Sequence, residues 1–114
     1  MGSDLKNLTC VPPRKNGPAL TEDQIEAYMQ QLSNWKLIEE QGIKQLKRVY
    51  KFNNFIEALA FTNRVGEVAE KEDHHPAIKT EWGKVTLTWW THTVKGLHRN
   101  DFIMAAKSDA AYTQ

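Results

Sequence analysis

The sequence predicts an α+β domain, an antiparallel four-stranded sheet with helices packed on one face, in the order α-β-β-α-β-β-α. Three observations carry this reading. Two segments, "WKLIEEQGIKQLKRVYKF" (35–52) and "AIKTEWGKVTLTWWTH" (77–92), have the pattern of strands meeting at a glycine turn, which describes two β-hairpins. Three other segments repeat apolar residues at helical spacing. The chain has 114 residues, room for one domain that buries roughly two-thirds of its unfolded surface.

Residues 1–19 contain "CVPPRKNGPA", dense in proline, glycine and charge, and read as an extended N-terminal arm ahead of a domain over 20–114. The first helix opens at "LTEDQIEAYMQQL", where Thr21 and Gln24 have capping-box spacing and Leu20 with Ile25 can form a hydrophobic staple. Ile25, Tyr28, Met29 and Leu32 form its apolar stripe. The first hairpin runs from Trp35 to Phe52 and turns at Gln41-Gly42. A central helix follows from about Asn54 to Lys71. Glu57, Arg64, Glu67 and Lys71 share one polar stripe there, and Phe55, Ile56, Leu59, Val65 and Ala69 cover the wide remainder. Glu70 falls on the edge of the apolar face, where a carboxylate needs a partner. Pro76 is expected to stop this helix and to hold His75 extended. In the second hairpin, turning around Gly83, Val85, Leu87 and Trp89 alternate with Thr86, Thr88 and Trp90. A last helix is expected from about His98 to Tyr112, with Phe102, Ile103, Ala106 and Ala110 inward. Trp35, Trp82, Trp89 and Trp90 are read mostly as core.

Composition excludes several functions. Lys+Arg (15) nearly cancel Asp+Glu (14), which disfavours direct nucleic-acid or anionic-membrane binding. No apolar run is long enough to span a bilayer, and no signal-peptide core is present. The single cysteine, Cys10, cannot form an internal disulfide, which fits a reducing, cytoplasmic compartment. With no histidine or second cysteine near it in sequence, Cys10 reads as incidental.

Three of the four histidines fall in "EKEDHHPAIKTEWGKVTLTWWTH" (70–92). His74 and His75 follow the central helix, where backbone groups lack intrahelical partners and side chains can project into a cleft. His92 ends the return strand of the second hairpin. An antiparallel hairpin sets its open ends side by side, so all three imidazoles can line one site. Capping of a helix C-terminus by imidazolium would account for one histidine but less readily for two followed by proline. Zinc would need three converging ligands, yet adjacent extended residues point to opposite faces, and the spacing fits no H-E-x-x-H type signature. Acid–base chemistry requires less: imidazoles within hydrogen-bond reach of one substrate, oriented by carboxylates such as Glu70, Asp73 and Asp101. Asp101 also lies in the first turn of the last helix, where a carboxylate complements the helix dipole. His98 reads as structural or surface.

The residues "EKEDHHP" (70–76), Trp82, Thr91-His92 and "GLHRNDF" (96–102) together resemble the pterin-4a-carbinolamine dehydratase family, from about Leu20 to Tyr112. The resemblance implies a four-stranded antiparallel sheet with helices on one side. It implies loss of water from 4a-hydroxytetrahydropterin to give quinonoid dihydropterin, with no metal or other cofactor, recycling the pterin spent by aromatic amino acid hydroxylases. It further implies His74, His75 and His92 as the catalytic set, with His74 and His92 moving protons and His75 holding the pterin ring. The substrate-binding set it implies is Glu70, Asp73, Pro76, Thr91 and Asp101, of which Glu70 and Asp101 orient the imidazoles. The run "TWWTH" is bulky at Trp90, which narrows the pocket and bears on the substrate's side chain.

Partners follow from the same resemblance. A homodimer or homotetramer is expected, and some members of the family bind a homeodomain transcription factor. The wide apolar arc of the central helix suits either kind of contact. The rival readings are therefore a non-catalytic pterin-binding protein and a protein-interaction module.

Overall fold

The computed structural model describes residues 5–15 and 17–112. Its elements are α1 (Glu22–Met29), β1 (Lys36–Glu40), β2 (Ile43–Lys51), α2 (Phe55–Glu72), β3 (Ala77–Glu81), β4 (Lys84–Trp89) and α3 (Arg99–Tyr112). This is the expected α-β-β-α-β-β-α order, and all strand pairs are antiparallel, in spatial order β1-β2-β4-β3.

Local chemistry explains the boundaries. The capping box of α1 forms in full: the Gln24 amide donates to Thr21 Oγ1 at 3.2 Å and the Thr21 amide to Gln24 Oε1 at 2.9 Å. β1 and β2 are joined by Gln41-Gly42 with φ of 54° and 81°, the two left-handed residues that match the twist of a hairpin. Asn54 caps α2 by accepting the Glu57 amide at 2.9 Å. The end of α2 differs from expectation. Asp73 takes a left-handed conformation (φ 55°), and the amides of Asp73 and His74 fold back onto the carbonyls of Glu70 and Ala69. The helix thus ends on Asp73, three residues before Pro76, because two carbonyls are satisfied there.

The sheet buries one face beneath α2 and α3. Leu46, Tyr50, Val85, Leu87 and Trp89 from the strands meet Phe61, Val65 and Ala69 of α2 and Phe102, Ile103 and Ala106 of α3. α1 joins through Tyr28, whose ring stacks on Phe102 at 4.9 Å. Of the tryptophans, Trp35 and Trp89 are core, whereas Trp82 is 73% exposed in the β3–β4 turn, where no layer covers it. Phe55, Ile56 and Leu59 of α2 are likewise exposed. They lie at the helix's start and off the stripe of Ala58, Phe61, Val65 and Ala69 that meets the core.

One polar network crosses this core. Asp109 of α3 accepts from Tyr50 Oη (2.5 Å), Arg48 (2.6 Å) and Trp35 Nε1 (3.1 Å). It therefore ties α3 to β2 and to the residue that opens β1. Burial, then the Asp109 charge, holds the Tyr50 hydroxyl protonated far above the usual tyrosine range. Asp109→Ala would strand a buried hydroxyl, an indole and a guanidinium together. Denaturant titration is expected to show a loss of about 2–4 kcal/mol. A loss below about 0.5 kcal/mol, the range of ordinary surface changes, would mean water replaces Asp109 without cost.

Candidate active site

The antiparallel pairing of β3 and β4 puts Ala77 opposite Thr88, so the residues before β3 and after β4 lie side by side. A cleft of about 470 Å³ opens there, lined by Asp73, His74, His75 and Pro76 on one side and by Trp90, Thr91 and His92 on the other. The three imidazoles that the sequence placed near one another do share one cleft. His92 reaches it differently from expectation: β4 ends at Trp89, and His92 opens a 3-10 turn (His92–Val94) instead of closing the strand. The Thr91–Gly96 bridge explains this, since the chain must turn back within five residues.

His74 is the anchored imidazole. Its Nε2 lies 2.6 Å from Asp101 Oδ1, and the Asp101 side chain is completely buried. Asp101 Oδ2 accepts from Thr91 Oγ1 at 2.7 Å and from the His98 amide at 2.9 Å. A carboxylate can only accept, so His74 carries its proton on Nε2 and turns the other ring nitrogen outward from that pair. Nδ1 has no partner among the described residues, and it is not sealed from solvent. The ring also stacks on the buried indole of Trp89, with 5.6 Å between centroids and 14° between planes. Trp89 Nε1 is buried without a hydrogen-bond partner among the described residues, a cost the fold accepts beneath the site.

The other two imidazoles are held loosely. His75 Nε2 is 2.8 Å from Glu70 Oε1, and both side chains are mostly exposed. Glu70 thus finds the partner its position called for, at the surface and outside the apolar face. His92 packs at a tilt on Trp90, 5.0 Å between centroids. Among the described residues no group of three or more His, Cys, Asp or Glu could hold a metal ion.

Two roles escaped the sequence. Thr91, expected to contact the ligand ring, also secures Asp101 from β4's end. His98 precedes α3, and its Nδ1 accepts the Asn100 amide at 3.0 Å, so the imidazole substitutes for an Asn or Ser cap.

A small α+β protein with an imidazole-lined cleft backed by a buried carboxylate is thereby defined, and comparison with known proteins assigns its family. The profile of the family "Pterin 4 alpha carbinolamine dehydratase" matches residues 18–111, and the chain belongs to that family. A Microcystis aeruginosa protein named "Putative pterin-4-alpha-carbinolamine dehydratase" is 52% identical over 98% of this chain and 97% of its own length. A Nitrosococcus oceani protein of the same name is 53% identical over 93% of this chain and 94% of its own. Among solved structures, a transcriptional coactivator/pterin dehydratase from Brucella melitensis superimposes with a TM-score of 0.75 at 31% identity, covering 82% of this chain and 98% of that one. A pterin dehydratase-like RuBisCO assembly factor of the alpha-carboxysome, 20% identical over 69% of this chain and 89% of that one, shares the fold with a TM-score of 0.59.

Burial lowers the His98 pKa from its ordinary 6.5, and the nearby His74 and Arg99 add to this while Asp101 opposes it. Folding therefore favours the neutral ring, which is the form that can accept the Asn100 amide. Below about pH 6.5 the unfolded chain binds the extra proton first. The contribution of His98 is complete above that value and is lost as pH falls through it toward the lower folded pKa. His98→Asn keeps an acceptor at the cap and removes the titration. Its Tm is expected to fall less than that of the wild type between about pH 7 and pH 5. Parallel declines would show that His98 does not contribute to acid sensitivity.

Proposed function

We propose that the protein dehydrates 4a-hydroxytetrahydropterin to quinonoid dihydropterin and water, by histidine acid–base catalysis, in a cytoplasmic setting. The observation that carries this reading is the gathering of three imidazoles in one cleft with His74 fixed by a buried carboxylate. The chemistry needs two proton movements. The C4a hydroxyl leaves as water after gaining a proton, and the N5 proton departs as the C4a–N5 double bond forms. His74 suits the receiving role, because its Nδ1 lone pair faces away from Asp101 and is not sealed from solvent. His92 suits the donating role, being exposed and able to exchange protons with water. His75, Asp73, Pro76 and Thr91 remain to hold the ring, and Glu70 steadies His75. The carbinolamine loses water slowly unaided, so an acid–base contribution of roughly 10²–10⁴ is a useful acceleration.

A second reading rests on a different observation. Phe55 and Leu59 of α2 are over two-fifths exposed and Ile56 is 79% exposed, an apolar surface suited to a second copy or to a partner helix. Such contact is compatible with catalysis at the cleft, and sedimentation of wild type against Ile56→Glu would measure it.

The decisive assay follows quinonoid dihydropterin in the ultraviolet by stopped flow, with substrate generated in situ. His74→Ala and His92→Ala are each expected to lose roughly 10²-fold of the acceleration while folding normally. Asp101→Asn can donate where the carboxylate accepts, so it is expected to reverse the His74 tautomer and approach the His74→Ala rate. A wild-type rate equal to that of buffer would overturn the reading.

A further inference from the structure

The cleft has one wall that neither the hairpin nor the helices supply. Pro13 of the N-terminal segment lines it, facing residues 73–77 and 90–93. That segment is firmly seated. Leu5, at its start, is buried in the main core. The Lys107 ammonium donates to the Lys6 carbonyl at 2.9 Å. The Cys10 amide donates to Glu72 Oε1 at 2.9 Å, and Cys10 Sγ lies 3.9 Å from the Asn100 carbonyl. Asn100 grips Val11 from both sides: its Oδ1 accepts the Val11 amide at 3.1 Å and its Nδ2 donates to the Val11 carbonyl at 2.6 Å. Asn100 is almost wholly buried, so this amide is committed to the arm.

We propose that Pro13 is a built wall of the substrate cleft, carried on a segment that Asn100 holds at Val11 as a positioning residue, and that it sets affinity for the pterin; this rests on the dehydratase reading above. Asn100 is the neighbour of Asp101 in the first turn of α3. One turn of helix therefore fixes both the imidazole of His74 and the opposing wall. Pro12 and Pro13 have φ locked near −65°, so the wall is rigid before any ligand arrives and loses little freedom on contact. Pro13 offers a flat apolar ring face and no amide N–H, which suits van der Waals contact with a planar bicyclic ring and leaves no donor unsatisfied. Among the described residues no titratable side chain of the arm lines the cleft, so Pro13 acts on binding and not on proton transfer.

Cys10 supplies an independent monitor of seating. Burial first, then the charge of Glu72, pushes its thiol up to about 12, so a seated arm has an inert thiol. The test compares wild type, Pro13→Gly and Asn100→Ala by fluorescence titration with 7,8-dihydrobiopterin, by steady-state KM and kcat, and by the rate of Cys10 reaction with a disulfide reagent. Pro13→Gly is expected to keep Cys10 unreactive while weakening the dihydrobiopterin Kd and raising KM about five-fold, with kcat unchanged. Asn100→Ala is expected to free Cys10 and weaken binding at least as much. Asn100→Gln, which keeps both amide functions, is expected to restore part of the loss. Wild-type binding that neither variant alters, or a loss confined to kcat, would overturn the wall and leave the dehydratase reading standing. A wild-type rate equal to that of buffer would overturn both. Should Asn100→Ala fail to fold, Pro13→Gly still decides, since Pro13 is part-exposed.

Discussion

The carboxylate of Asp101 is the constraint on which the site depends. It is fully buried, and it accepts hydrogen bonds from His74, from Thr91 and from the His98 amide. These donors belong to three different segments: the exit of α2, the exit of β4 and the start of α3. A buried charge is tolerated only where such donors converge on it, so removing one donor would leave the others facing an undersatisfied anion. The same interaction that makes burial of Asp101 acceptable also sets the tautomer and orientation of His74. Stability and chemistry are thus drawn from one group. Asp101 does complement the helix dipole from the first turn of α3. Its three side-chain and backbone partners show that dipole complementation is the smaller part.

Topology supplies what that carboxylate needs. Because β3 and β4 form a tight hairpin, their outer ends must lie together, and the two exits carrying His74–His75 and Thr91–His92 face each other. The central place of β4, paired with both β2 and β3, fixes Trp89 in the core directly under the His74 ring. The site is therefore stiff beneath and open above. His74 is 11% exposed on its side chain against 56% for His75, a gradient that separates a fixed group from a free one. On the dehydratase reading this division is chemically sensible. A reaction that already proceeds in water asks for oriented proton carriers and a bound ring, not for a large enclosed pocket or a resident cofactor.

Much of this was legible in the sequence because it depended on local periodicity. Glycines at the turns, alternation in 85–90, the Thr21–Gln24 spacing and the helical stripes each specify their own element without knowledge of the rest. The spacing of His74 and His92 was legible for the same reason, since hairpin geometry alone brings the two ends together. What was hidden depends on contacts between distant segments. Trp82 resembled core by composition, but it occupies a two-residue turn that no helix reaches. Phe55 and Ile56 belonged to an apolar arc wider than the core needed. Asp73 ended α2 earlier than Pro76 by adopting a left-handed conformation that Asp tolerates, a choice that residue type permits without requiring. The Val11–Asn100 pairing spans 89 positions and has no local signature at either end.

The arm shows best why composition misleads about function. Proline, glycine and charge over residues 10–19 are the marks of a chain that forms no regular structure, and among the described residues of the arm the one regular element is a short 3-10 turn upstream, at Leu5–Asn7. Absence of regular structure does not mean absence of position. An extended segment leaves its backbone N–H and C=O groups unused, and those of Val11 are the ones a buried amide side chain can grip in pairs. Two consecutive prolines beyond the grip add stiffness without demanding further partners. A helix at the same place would have spent its backbone groups internally, and a strand paired on both sides would have spent them on its neighbours, so neither could have been clamped by one side chain. The irregular conformation is thus what lets Asn100 hold the arm, and the adjacent Asp101 makes that hold part of the same turn of helix that orders the cleft.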